Sequence, residues 1–505
     1  MAVTGQAPIW RRLELLGAAA LGALQTLALV HTAWWPLPVL TLAWLLWRLD
    51  QAAPRRAALL GWLYGTAWLC ASVWWLFISM HRYGGLPAPL AAAAVLALSA
   101  ALSLYLALAA GLYARWRQGR ASDVLLWAAL WLLAELARGL IFTGFPWAAS
   151  GYALVDSPVA ALAPWLGVYG MGAFLAALAV ALLRLLRSRG GHWRWPAGLA
   201  AVVAVAHGAP LNFTQAAGEL RVVLLQTNVK QDEKFAAERM PESLAWVARE
   251  MLTAQADLVL VPETAIPLLP FQLKDFAPGY WDMLREHFAA PGAHGERAAL
   301  IGVPLGDFER GYTNSVAGLS AGPAYRYDKW HLVPFGEFIP TGFRWFTEMM
   351  NIPLGDFARG VLNPPSFVVA GQRVGPNICY EDLFGEELAR RFIDPALAPT
   401  VLANISNIGW FGDTIATAQH LNISRLRTLE LQRPMLRATN TGATAIIDHR
   451  AQVMAQLIPH TQGVLPGVVQ GRQGLTPFAW WAARWGQWPL VGLALVLLLG
   501  LARRR

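Results

Sequence analysis

The stretch "SFVVAGQRVGPNICYE" (366–381) decides how the chain is read: a β-rich run of apolar residues that ends on Cys379, with the polar Tyr380, Glu381 and Asp382 directly behind it. Cys379 is one of only two cysteines. An inert structural cysteine sits among apolar neighbours, whereas this one is followed by two acids at the mouth of a strand. The position reads as chemical.

Comparable runs flank it: "LRVVLLQTNV" (220–229), "DLVLVPET" (257–264), "AALIGVP" (298–304), "TNSVAGL" (313–319), "PTVLANIS" (399–406) and "GATAIIDHRAQVMAQL" (442–457). Between them, 240–256 and 418–432 carry apolar residues at helical spacing. Buried strands with helices on their outer faces predict a layered α/β sandwich with mixed sheets over 211–485.

Elsewhere the chain is far more apolar. Of 505 residues 56% are hydrophobic and only 14% charged, against about 25% charged in an ordinary soluble domain. The apolar residues concentrate in two places. Membrane-length runs predict spans near 14–33, 36–50, 57–80, 87–114, 122–142, 158–187, 194–210 and 486–502. Seven of these fall in a membrane domain over 1–210, and the eighth in 486–505 with a basic tail. Arg11, Arg12, Arg48, Arg55, Arg56, Arg115, Arg117, Arg120, Arg184, Arg187, Arg189, Arg194 and Arg503–Arg505 fall in alternate connections and at both ends. The opposite connections contain Arg82 as their one fixed positive charge. The positive-inside rule therefore predicts both termini in the cytoplasm and 211–485 across the membrane. The first apolar segment is expected to be an uncleaved helix rather than a signal peptide. Net charge of +9 comes largely from these flanks, and no basic stripe with interleaved aromatics points to nucleic acid. Cys70 lies in the third expected span, so with this topology it cannot pair with Cys379 and reads as a packing residue.

Three titratable residues stand at or just beyond the ends of apolar runs in the 211–485 domain: Glu263 in "LVLVPETAI", Lys329 in "YRYDKWHLVPFGEFIP" and Cys379. Together they supply what a thiol that cleaves amides or esters needs. Glu263 serves as general base, and Lys329 places a positive charge beside thiolate and oxyanion, aided by a backbone N–H near Tyr380. Each alone reads equally well as a cap, a loop cation or a packed thiol. Their order and surroundings carry the reading. No metal and no cofactor is expected.

"VPETA", "YDKWHLVPFGEF" and "ICYED", in that order, resemble the carbon–nitrogen hydrolase (nitrilase) superfamily with its Glu–Lys–Cys triad. The extension "VPFGEFIP" and the later "ISNIGWFGDT", "AQHL", "RLRTLE" and "RPMLRATNTGATAIID" are similar to a membrane-bound branch, the apolipoprotein N-acyltransferases. The resemblance spans essentially the whole chain. It implies a multi-span α-helical membrane domain with a periplasmic α-β-β-α nitrilase-like sandwich before the last span, in the bacterial inner membrane. It also implies ping-pong acyl transfer. Phosphatidylethanolamine would give its sn-1 chain to Cys379 as a thioester. The α-amine of a diacylglyceryl-cysteine apolipoprotein would then take it. The family's second glutamate falls on Glu337, and Tyr380 and Glu381 match its supporting positions.

Because both substrates are lipids, the pocket is expected to open at the outer leaflet. Exposing acyl chain to water costs about 0.8 kcal/mol per CH₂. Trp330, Phe338 and Trp345, within the aromatic stretch 330–357, read either as a lid facing lipid or as a buried core segment; Trp410 and Phe411 read as a second pocket wall. Two departures stand out. Ile408 and Gly409 replace the Asp–Ala pair common in relatives, and Phe235 stands where many carry Trp, keeping an aromatic without the indole N–H. Glu135 and Arg138, three apart in the fifth expected span, read as a helix-fixing ion pair or as a lipid head-group contact. The rival readings are a membrane-tethered amidase and a transporter or receptor with a degenerate enzyme domain. A tether needs one span rather than eight, and a transport path needs intramembrane charges that the spans do not supply.

Overall fold

A computed structural model describes residues 8–187, 193–208, 212–292, 295–342 and 357–503. The chain divides into two compact units, one of residues 1–77, 88–211 and 487–505, the other of 78–87 and 212–486.

The first unit is helical. Helices occupy each of the eight expected segments, among them Pro8–Val30, Pro36–Leu49, Pro54–Val73, Asp123–Leu140, Ala163–Arg187, Arg194–Gly208 and Trp488–Ala502. The fourth is broken at Ser103 into Ala88–Leu102 and Leu104–Trp116. Among the described residues four helices are long and apolar enough to cross a membrane, or six if Pro54–Val73 with Leu76–Tyr83 and Pro477–Trp485 with Trp488–Ala502 each count as one span. Pro36–Leu49 and Arg194–Gly208, at 14 and 15 residues, are shorter than the usual spanning length. Small residues let the helices close up. A Cβ on Gly22 would sit 2.1 Å from the Tyr64 carbonyl oxygen, and one on Gly61 2.6 Å from Ala110 Cβ. The arginine-rich flanks are matched by half-buried or buried acids: Glu14 takes Arg48 and Arg56 at 2.8 and 2.6 Å, and Arg184 bridges Asp50 and Asp123 at 3.3 and 2.8 Å.

In the second unit, two six-stranded sheets face one another. The strands are β1 Thr214–Gln226, β2 Leu258–Val261, β3 Ala298–Asp307, β4 Gly311–Leu319, β5 Tyr325–Asp328, β6 Phe367–Val369, β7 Gln372–Ile378, β8 Val401–Ser406, β9 Met435–Thr439, β10 Ala445–Ile447, β11 Val453–Gln456 and β12 Gly463–Gly474. One sheet runs β12-β1-β2-β3-β4-β5 and the other β11-β10-β9-β8-β7-β6. Each has three parallel strands at its centre, β1-β2-β3 and β7-β8-β9, flanked by antiparallel neighbours. Period-two alternation assigns the faces. On β2, Leu258 and Leu260 enter the inter-sheet core beside Val374, Ile378, Ala403 and Ile405, while Val259 and Val261 pack under the helices Met240–Thr253 and Tyr280–Ala289. The second sheet is covered by Leu388, Phe392, Leu431 and the helix Pro477–Trp485. The result is the expected α-β-β-α sandwich.

Two predicted runs prove to be hairpins. The 366–381 run turns at Ala370 and Gly371, both at positive φ, and the 442–457 run turns where Asp448 Oδ1 accepts from Arg450 and Gln452 N–H. Strands β5, β9 and β12 are additions to the sequence reading. β9 holds Arg437, and β12 carries Pro466 and several glycines, so neither presents a β-rich apolar run.

Candidate active site

Glu263, Lys329 and Cys379 each follow a strand, β2, β5 and β7 respectively. Cys379 sits at φ 52°, in left-handed backbone that a non-glycine residue adopts only under constraint, and opens a short 3₁₀ turn over Cys379–Leu383. The turn lifts the thiol out of the strand that ends in the core at Ile378.

Lys329, almost fully buried, places Nζ 2.9 Å from the Glu337 carboxylate and 3.8 Å from Glu263 Oε1. Asn314 on β4 ties the two acids together: its Nδ2 donates to Glu263 Oε1 at 2.6 Å and to Glu337 Oε1 at 2.7 Å. The other Glu263 oxygen accepts the Asn407 backbone N–H at 2.7 Å, and the other Glu337 oxygen that of Val333 at 2.8 Å. Burial alone favours a neutral lysine, but Glu337 first and Glu263 next outweigh it and hold Lys329 above the usual lysine range. Burial, followed by the Glu263 charge, pushes the Cys379 thiol up, against the pull of Lys329. The resting sulfur is therefore a thiol and needs a base to react.

Behind the cysteine lies a second polar cluster. Asp382 accepts from His420 Nε2 at 3.0 Å and from Arg437 Nη1 at 3.2 Å, and Ser424 Oγ donates to it as well. Arg437 Nη2 lies 3.2 Å from His420 Nδ1. Arginine only donates, so Nδ1 accepts and the imidazole proton sits on Nε2. That proton is shared between Asp382 and the Cys379 carbonyl, 3.3 Å away, which Asn404 Nδ2 also reaches at 3.1 Å. Burial opposes ionisation of Asp382, but His420 and Arg437 more than compensate and keep its carboxyl below the usual range.

Of the supporting residues expected from sequence, Glu337 pairs with Lys329. Glu381 acts as a clasp: one oxygen accepts the Trp330 and His331 N–H groups at 2.8 and 3.1 Å, the other the Ile378 N–H at 2.7 Å and the Tyr327 hydroxyl. It binds the loop after Lys329 to the strand before Cys379. Tyr380 is buried against Phe384 and His331, with ring centroids 5.3 and 5.7 Å away.

The expected pocket residues are more dispersed. Half-buried Trp330 lines a cleft with Tyr327, Leu362, Glu381, Glu387 and Arg391, and Phe338 lies under the Arg359 guanidinium at 5.1 Å. Trp410 meets Tyr83 edge-on at 5.6 Å, and Phe411 is half-buried in the same short turn, which Asn407 caps at Gly409 N. Ile408, one of the two departures in that turn, is buried. Phe235 is 44% exposed. Trp345 lies outside the described residues.

Sequence reading passed over Lys234. It is buried, its Nζ donates to the Glu263 carbonyl at 3.0 Å, and burial lowers its pKa to about 8 despite the opposing charge of Glu263. Its setting, "QDEKF", has the composition of a solvated turn and gives no signal. Asn314, Asn407, His420 and Arg437 were likewise passed over, since their roles depend on contacts between distant strands, and Asp382 was noted only as an acid beside the cysteine. Among the described residues no cluster of His, Cys, Asp and Glu could hold a metal ion.

Two family models match the chain: the apolipoprotein N-acyltransferase N-terminal domain over residues 21–182 and carbon–nitrogen hydrolase over residues 221–472. An apolipoprotein N-acyltransferase of Verminephrobacter eiseniae is 54% identical, the match covering 90% of this chain and 88% of the relative. One from Ralstonia nicotianae is 48% identical over 97% of this chain and 93% of its own. A third, from Bordetella bronchiseptica, is 42% identical over 100% and 99%. With relatives aligned from end to end and a carbon–nitrogen hydrolase domain around the site, the chain belongs to the apolipoprotein N-acyltransferase family and is an acyltransferase.

Proposed function

We propose that Cys379 carries an acyl group from a phospholipid to the α-amine of an S-diacylglyceryl-cysteine apolipoprotein, with Glu263 as base and Lys329 as electrostatic partner. The observation that carries this is the buried Lys329 ammonium between two carboxylates, Glu337 at 2.9 Å and Glu263 at 3.8 Å, with Cys379 held in left-handed backbone at the end of β7.

In the first half-reaction, Glu263 accepts the Cys379 proton as sulfur attacks the sn-1 ester carbonyl of phosphatidylethanolamine. Negative charge develops on the carbonyl oxygen, where Lys329 and the N–H that follows Cys379 meet it. Collapse breaks the ester C–O bond, the glycerol oxygen takes the proton from Glu263, and lysophospholipid leaves with the thioester formed. The acceptor amine then attacks in its neutral form, Glu263 takes its proton, and collapse of the second tetrahedral species returns proton and electron pair to sulfur. Glu337 keeps Lys329 charged throughout, and Glu381 and Tyr380 hold the two loops in register. The aromatic residues Trp330, Phe338, Trp410, Phe411 and Phe235 serve as lipid-facing contacts.

The same reading places residues 1–210 and 486–505 in the inner membrane with both termini cytoplasmic, and 211–485 in the periplasm. Intact-protein mass spectrometry after incubation with phosphatidylethanolamine tests the chemistry. The wild-type chain is expected to gain one acyl mass that hydroxylamine removes and a diacylated lipopeptide discharges, and Cys379→Ser is expected to gain none. An adduct that decays equally fast without lipopeptide would identify a hydrolase instead.

A further inference from the structure

The helical unit contains a site that the acyl-transfer chemistry does not use. Glu135 and Arg138, on the helix Asp123–Leu140, are both 4% exposed. Glu135 is fully engaged: Oε1 accepts the Ser150 N–H at 2.7 Å and Arg138 Nη2 at 3.3 Å, and Oε2 accepts Ser150 Oγ at 3.0 Å. Arg138 Nη2 also reaches the Ala148 carbonyl at 3.1 Å, yet its Nη1 is buried without a hydrogen-bond partner. Its guanidinium lies 5.4 Å over the ring of Trp68, whose Nε1 is likewise buried and unpartnered. Two adjacent orphan donors in an apolar helical unit are a costly arrangement unless an acceptor comes to them.

Both residues line one narrow cleft together with Leu69, Leu102, Ser103 and Leu106. It lies at the break in the fourth helical segment, where Ser103 Oγ bonds back to the Ser99 carbonyl at 2.7 Å and so takes up the chain's own acceptor. A water would meet the two donors but not the apolar part of the wall, to which Trp68, Leu69, Leu102, Leu106 and Trp131 contribute five of the eleven lining residues. An occupant with an oxygen at one end and hydrocarbon behind it meets both demands. We propose that the cleft binds one glycerolipid, an ester oxygen accepting from Arg138 Nη1 and Trp68 Nε1 and the acyl chain lying along Leu69, Leu102 and Leu106.

This rests on the membrane placement given above but not on Cys379, so it is tested in the full-length Cys379→Ser chain, where no acyl transfer intervenes. The purified chain is loaded with 1-palmitoyl-2-oleoyl phosphatidylethanolamine, washed by detergent exchange and weighed by native mass spectrometry. One retained lipid is expected. Leu106→Trp, which fills the cleft, should lower the retained fraction at least fivefold, and Trp68→Phe, which removes one donor and keeps the ring, two- to threefold. Arg138→Gln is a third probe, but it strands Glu135 and can unfold the chain, so the first two variants decide. No retained lipid, or one that Leu106→Trp and Trp68→Phe leave unchanged, would overturn the proposal.

Discussion

Two helices flank the sandwich and are buried in opposite ways. Met240–Thr253 presents Leu244, Val247, Ala248 and Met251 to the outer face of the first sheet and leaves its far side in solvent. Ala416–Leu431 is buried around most of its girth, and the residues it buries include Gln419, His420, Asn422, Ser424, Arg427, Thr428 and Glu430. Apolar contact sets how far apart two layers sit and tolerates small rotations. Hydrogen bonds fix direction. The first helix covers a sheet. The second aims His420 and Ser424 at Asp382 and the Cys379 carbonyl, and so determines where the strained turn holds its sulfur.

Each helix carries an Arg–Glu pair at the same i,i+3 spacing, which makes the contrast testable. On the buried helix Arg427 and Glu430 are 2.9 Å apart with almost no exposure; at the start of the other, Arg239 and Glu242 are 3.6 Å apart and 62% and 80% exposed. The largest effect is expected from stranding a buried charge. Arg437→Met, which leaves Asp382 without its arginine, or Glu430→Gln should each cost about 3–5 kcal/mol in thermal or denaturant unfolding. Arg437→Met should also slow acyl-adduct formation per folded molecule. Leu244→Ala should cost about 2–5 kcal/mol by opening a cavity, yet leave the rate per folded molecule unchanged. If it slows the chemistry as much as Arg437→Met does, the division between cover and scaffold is wrong.

A smaller effect should appear with pH. Lys234 has its pKa lowered to about 8 in the fold, so the folded chain binds fewer protons than the unfolded chain between about pH 8 and the ordinary lysine value of 10.5. Stability attributable to this group should therefore rise with pH across that window, by at most about 1.4 kcal/mol per pH unit. Comparing melting temperatures of wild type and Lys234→Met from pH 7.5 to 10 reads it. A slope that persists in the variant would assign it elsewhere. The smallest effect belongs to the exposed pair: Glu242→Gln should move stability by less than about 1 kcal/mol, and salt should erase the difference.

Much of the architecture was legible because periodicity reports burial. Strands such as Leu258–Val261, buried on both faces, stand out as continuous apolar runs, and the longer apolar helices stand out by length, while Pro36–Leu49 and Arg194–Gly208 fall short of it. The three candidate residues were legible for a different reason: Glu263, Lys329 and Cys379 each follow a strand inside a distinctive local motif. What escaped notice depends on pairing across long separations. Lys234 reaches the Glu263 carbonyl from a turn that looks solvated, and Arg437 sits in a strand whose charge argues against burial. β12 is disguised by its glycines and proline, and its place is set by β1, more than two hundred residues earlier. The small residues that break or crowd the helices were equally silent, since the effect of Ser103 depends on what faces it.

The pairing of β1 with β12 bears on how such a protein arises. Thr214 stands opposite Gly474 in antiparallel register, so the sandwich begins and ends on adjacent strands, about 5 Å apart. A module with neighbouring ends can be spliced into a host loop without prying its flanks open, and lost or replaced with as little disturbance. The carbon–nitrogen hydrolase half is built as a cassette. The same ends can be joined by a short linker and the chain reopened at an exposed tip such as Gly322–Pro323, which would give a circular permutant of the sandwich with the same internal contacts.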